Sequence, residues 1–228
     1  MNFLNNSEAL NLKNDEQKYQ GYYSFVSSSF PKASWGQTKE EKEIYKNISN
    51  SIEALDIYLS ISKKQKIQPE LLLDLKVLLK HYLFLLPLKN PIAYPSIMRA
   101  VAETMMKIMY SSIYTGETPD KVRSLSYRTL VEAVDGSTKL KSVLRKSTLE
   151  TKKKYGDSSV SIHAKEGFSK YDEPYFSSFF NGYISNKTLL NDATAIYEFV
   201  TKSIFVINNY EDKDFGHNQK VIFEQLSS

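Results

Sequence analysis

Cysteine is absent from the chain, which removes disulfide frameworks, thiolate catalysis and every zinc site that needs a thiolate ligand. The three histidines, His81, His163 and His217, lie too far apart to build a metal cage, so neither a metal nor a cofactor is expected. Eight glycines in 228 residues leave almost nowhere for a phosphate-cradling loop, and no Ser-His-Asp, Walker or dinucleotide signature is present. Arginine is also scarce. Arg99, Arg123, Arg128 and Arg145 stand against twenty-six lysines, and with abundant Asn, Ile and Tyr this is the habit of an AT-rich bacterial genome. Long apolar runs are missing too: Leu71 to Leu88 is interrupted by Asp74, Lys76, Lys80 and His81 and closed by Pro87, so it reads as a buried helix and no membrane partner is expected. Met1 to Leu12 has neither a basic start nor an apolar core, and the chain is expected in the cytoplasm.

What remains is ample material for a core. Hydrophobic residues make up 41% and aromatics 13%, with 25% charged residues at a net charge of +4, which suits a folded protein without a strong overall field. Residues 1–36 are polar and rich in Tyr and Ser, and read as a loosely packed arm with one helix around Glu16 to Phe25. Thr38-Lys-Glu-Glu41 has the form of a capping box, and behind it Ile44, Ile48, Ile52, Leu55 and Leu59 recur at helical spacing to about Ser62. Pro69 suits a first helical turn, and the helix it opens is apolar on almost every side, so it is expected at the centre. A fourth helix, with Ile97, Met98, Val101, Met105, Ile108 and Met109 on one face, ends near Tyr114. A fifth opens at Thr118-Pro119-Asp120 and stops at Asp135-Gly136-Ser137-Thr138. A sixth runs from Lys139 to Tyr155, where Gly156 is expected to end it; Val160, Ile162 and Ala164 alternate like a short strand. Thr188 to Asn208 is a last long amphipathic helix. The pattern is an all-α fold: one bundle of five to six helices over residues 37–210, with the 1–36 arm before it and a 211–228 tail after it.

Several constellations could carry function. Lys139, Lys141, Arg145, Lys146, Lys152, Lys153 and Lys154 face only Glu150 within sixteen residues, enough to neutralise several phosphates of a nucleic acid. The plainer reading is a solvated helix whose cations complement the macrodipole, and nucleic-acid binding is expected to be weak. Arg99 and Glu103, four apart at the edge of an apolar face, read as a half-buried salt bridge or as the floor of a pocket holding a phosphate or carboxylate. His81 shares a stripe with Asp74 and reads as a hydrogen-bonded core residue; His163 lies in an irregular stretch. Tyr175-Phe-Ser-Ser-Phe-Phe-Asn181 reads as an aromatic packing plug.

The Arg-x-x-x-Glu pair of Arg99 and Glu103 on a mid-chain helix, the apolar helix before it, and Tyr-x-Ser-x-x-x-Asn ending at Asn181 before a C-terminal amphipathic helix resemble the HEPN-like helical bundles of bacterial phage-defence and toxin loci. The resemblance spans Leu71 to Asn208. Ribonucleases of that superfamily carry an Arg followed four to six residues later by His, and none of the four arginines here has such a histidine. The resemblance thus implies a non-catalytic helical interaction module that recognises a protein or nucleic-acid partner, or that self-associates. A metal-independent RNA endonuclease with a degenerate site, using Arg99, Glu103 and Asn181, is the alternative.

Overall fold

A computed structural model describes residues 4–33, 35–61, 66–91, 93–138, 142–163 and 184–227. Its elements are α1 (Leu4–Ser29), α2 (Lys39–Ser60), α3 (Pro69–Leu85), α4 (Ala93–Ile113), α5 (Pro119–Ser124), α6 (Tyr127–Asp135), α7 (Ser142–His163), α8 (Asn186–Glu198), α9 (Ile204–Asn208) and α10 (His217–Ser227). The fold is all-α, and no strand occurs among the described residues. No described helix is long and apolar enough to cross a membrane.

Helix starts follow local chemistry. Thr38 accepts from the Glu41 amide while the Glu41 carboxylate accepts from the Thr38 amide, which completes the capping box. Glu41 also takes the Gly36 amide at 3.0 Å and the Lys89 ammonium at 3.2 Å, and it is buried. Lys89 follows the 3₁₀ turn Leu86–Leu88 with φ 45°, a left-handed conformation that a lysine tolerates at a cost of about 1 kcal/mol. Its tie to Glu41 gives that bend a reason. Thr118 caps α5, Ser126 caps α6 and Ser185 caps α8. The expected fifth helix is therefore two, because the Ser126 hydroxyl takes the Thr129 amide and starts a new helix.

α4 is the most enclosed helix, buried over most of its circumference and packed against α3, α6 and α7. α3 is buried along Leu71, Leu72, Leu75, Leu79 and Tyr82 but shows Leu73, Val77 and Phe84 to solvent. It is thus a wall of the bundle, and the expectation that it forms the centre is corrected in favour of α4. On the other side α2, which buries Ile44, Ile48, Leu55 and Tyr58, packs against α8.

Residues 1–36, read as a loose arm, contain a 26-residue helix whose described part is anchored to the bundle. Tyr19 and Val26 are buried, Tyr22 stacks on Tyr45 at 4.7 Å, and the Tyr22 hydroxyl donates to the Leu83 carbonyl at 2.6 Å. The spacing of these residues is helical, but tyrosines on a polar background disguise the buried face. The 211–228 tail likewise folds back: Phe205, Tyr210, Phe215 and Phe223 form one aromatic cluster, and Leu226 is buried. α7 continues through Gly156 to His163, so the stop at Gly156 and the strand expected at Val160 and Ile162 are both replaced by helix. One glycine costs a helix only about 1 kcal/mol, which the packing of α7 on α4 overrides.

Between α8 and α9 the chain makes a π-helical turn, Phe199–Ser203. The Tyr58 hydroxyl donates to the Val200 carbonyl at 3.2 Å, supplying a partner from α2 where the helical ladder is interrupted. Asn209 ends α9 with φ 53°, a conformation that suits asparagine. The Asn208 side-chain oxygen accepts the amides of Lys66 and Ile67 at 2.8 and 3.1 Å, tying the end of α9 to the approach to α3.

Candidate functional site

Polar side chains meet most densely where α3, α4, α7 and α8 converge. Asp192 falls on the inner stripe of α8 with Leu189, Ala193 and Ile196 and is buried. Its Oδ2 accepts the Tyr94 hydroxyl at 2.5 Å, and its Oδ1 accepts the Lys154 ammonium. The Tyr82 and Tyr94 hydroxyls are 3.0 Å apart. Tyr94 has a single proton and gives it to the carboxylate, so Tyr82 must donate to Tyr94. Burial, reinforced by the neighbouring Tyr82 and Asp192, holds the Tyr94 phenol neutral well above its usual range; burial followed by Asp192 does the same to Tyr82.

Beside this cluster opens a cleft of about 610 Å³ lined by Tyr94, Lys153, Asp157, Ser158, Thr188 and Asn191, among others. Asp192 has partners on both oxygens, and the hydroxyl relay behind it ends on fully buried Tyr82. A carboxylate so engaged ties α4 and α7 to α8 and, through the Tyr82 hydroxyl behind Tyr94, reaches α3. The sequence reading passed over Asp192. Its signal was an acid between Leu189 and Ala193 on an otherwise apolar stripe.

Arg99 and Glu103 are each half-buried, as their place at the edge of the α4 face implies. They do not pair with each other. Glu103 binds Lys107 at 2.8 Å, one turn further along. Arg99 donates from Nε to the Tyr155 hydroxyl at 3.1 Å, with its guanidinium carbon 5.0 Å from the centre of the Tyr155 ring, which stacks on Tyr127. The expected ion pair is thus replaced by an arginine–aromatic contact that α7 and α6 bring to α4. Asn181, the third member of the candidate set, lies outside the described residues, as do the aromatic stretch from Tyr175 and the residues Lys139 and Lys141.

Two of the five described cations of the basic segment are held by acids from neighbouring helices. Lys152 meets Asp135 at 2.7 Å, Lys154 meets Asp192, and Lys146 is 3.6 Å from both Glu150 and Glu198. Lys146 stays exposed, so those two contacts are weak. Arg145 and Lys153 are exposed and have no partner among the described residues. Lys152 and Lys154 are not on an open helix end as their place in the run implies; α6 and α8 supply the acids. His81 is exposed, contrary to its expected place in the core, because the buried stripe of α3 passes through Leu75, Leu79 and Tyr82. Asp74 on the same helix pairs with Arg123 through two bonds of 2.8 and 3.0 Å. No group of three or more metal-ligating side chains occurs among the described residues.

The other distinctive surface is apolar. Leu73 and Phe84 are 50% exposed and Val77 44%. Phe25 of α1, 45% exposed, and Phe30 just after it lie against Phe84 with ring centres 6.5 and 5.3 Å away. The chain matches no family model, no curated protein and no solved structure.

Proposed function

We propose that the chain is a non-catalytic helical interaction module that recognises a protein partner through the outer face of α3 and the adjoining end of α1. The observation that carries this reading is the grouping of Leu73, Val77, Phe84 and Phe25 on one side, each about half exposed. Large side chains gathered this way on one side of a protein mark an association surface. A protein partner is favoured over nucleic acid because the basic segment spends Lys152 and Lys154 on internal ion pairs. The degenerate ribonuclease is the weaker reading, since Arg99 and Glu103 are committed to Tyr155 and Lys107.

The test compares the wild-type chain with the double variant Leu73→Glu/Phe84→Glu, both confirmed folded by circular dichroism. Association with protein, whether with another chain or with itself, is expected to be lost in the variant. Unchanged association, or RNA cleavage by the wild type that Arg99→Ala abolishes, overturns the proposal.

A further inference from the structure

The exposed positions of α3 after its first residue are Glu70, Leu73, Val77, Lys80, His81 and Phe84. Without His81 their spacing is three, four, three, four, the seam of a coiled coil, here about 21 Å long at 1.5 Å per residue. The inner side of the same helix is buried along Leu71, Leu72, Leu75, Leu79 and Tyr82, so the seam is a second, independent stripe. Its charges are ordered: Glu70 at the N-terminal end, Lys80 towards the C-terminal end, and Leu73 and Val77 between them.

We infer that this seam pairs with the same seam of a second copy, antiparallel, around a two-fold axis. The inference rests on the reading of α3 as an interaction surface and names its occupant. In a parallel pair Glu70 would meet Glu70 and Lys80 would meet Lys80, and both contacts repel. In an antiparallel pair with layers of constant residue sum, Leu73 packs on Val77 of the second copy and Glu70 meets its Lys80. The two-fold repeats both contacts. Charge order along the helix thus selects orientation and register together, as polar residues at seam positions do in coiled coils. Phe84 then passes the N-terminal end of the opposing helix, with Phe25 of α1 and the following Phe30 widening the contact. Two heptads form a small interface, so the dissociation constant is expected on the order of micromolar.

Light scattering coupled to size exclusion, from about 1 to 100 µM chain, measures the association of the wild type, Glu70→Lys, Lys80→Glu and the double variant Glu70→Lys/Lys80→Glu. Both positions are exposed, so none of the changes threatens the fold. The wild type is expected to dimerise, each single variant to weaken the dimer about tenfold or more by placing like charges together, and the double variant to restore it. A dimer indifferent to both single variants, or single-variant losses that the double variant does not recover, overturns the inference. So does a wild type that stays monomeric throughout. In that last case, if the wild type binds another protein and Leu73→Glu/Phe84→Glu abolishes the binding, the surface stands with a different occupant; if it binds none, both proposals fall.

Discussion

Asp192 and Glu103 look alike in the sequence, each an acid on an amphipathic helix, yet they differ in what their removal would leave behind. Asp192→Ala would leave the buried Tyr94 hydroxyl and the partly buried Lys154 ammonium without their acceptor, and is expected to cost about 3 kcal/mol in urea denaturation. Tyr94→Phe keeps the Lys154 contact and is expected to cost about 1 to 2 kcal/mol. Glu103→Ala breaks only a partly buried pair with Lys107 one turn along the same helix and strands no core hydroxyl, so its loss should stay within about 1 kcal/mol. If Glu103→Ala proved as costly as Asp192→Ala, the division between a closed clasp and a surface pair would be wrong. The same reasoning bears on Lys152, Lys153 and Lys154. Their joint replacement by glutamine is expected to lower the melting temperature, because two of the three hold acids on α6 and α8. A variant that melted with the wild type would show those ties to be idle.

Elements were legible wherever periodicity and caps agreed. Thr38 and Glu41, Pro69, Thr118-Pro119 and Gly136 mark real boundaries, since a cap is local chemistry that the sequence carries in full. Where tertiary packing overrode a local signal, the reading failed, as at Gly156. This residue sits inside α7, exposed, with open space where a Cβ would go. Gly156→Ala is therefore expected to stabilise the protein by about 0.5 to 1 kcal/mol, read as a rise in the urea midpoint. A loss would mean that α7 is not helical there. The site was less legible than the helices. That Arg99 would be half-buried followed from its wheel position, but that Tyr155 would cover it depended on how α7 lies on α4, which no spacing within α4 encodes. Likewise α3 was readable as apolar all round, whereas which of its faces would be left outside was decided by where α4 and α2 pack.

For the whole molecule, buried phenols set an alkaline limit. Tyr19 and Tyr210 are pushed up to about 12, chiefly by burial, and burial also drives Tyr58, Tyr82 and Tyr94 well above their usual range. A raised folded-state pKa means that the fold favours the neutral phenol, so its contribution is complete below the unfolded value near 10 and is lost as the pH rises above it. Tyr58, Tyr82 and Tyr94 alone give a slope of about 4 kcal/mol per pH unit there. Cooperative unfolding is expected between pH 10 and 12, with tyrosinate absorbance and circular dichroism changing together; ionisation that ran ahead of unfolding would contradict the buried network. The contacts that close the bundle carry a different consequence, for the order in which it can be made. Tyr58 reaches Val200 and Lys66 reaches Asn208, each across 142 residues of chain. A nascent chain that has delivered everything through α7 can cover α2 with α1 and α3, but the side that packs on α8 still waits. Translation products cut before α8 would therefore leave the side of α2 that packs on α8 as adhesive surface, and the chaperone demand of this protein falls on the interval between synthesis of α2 and synthesis of α8.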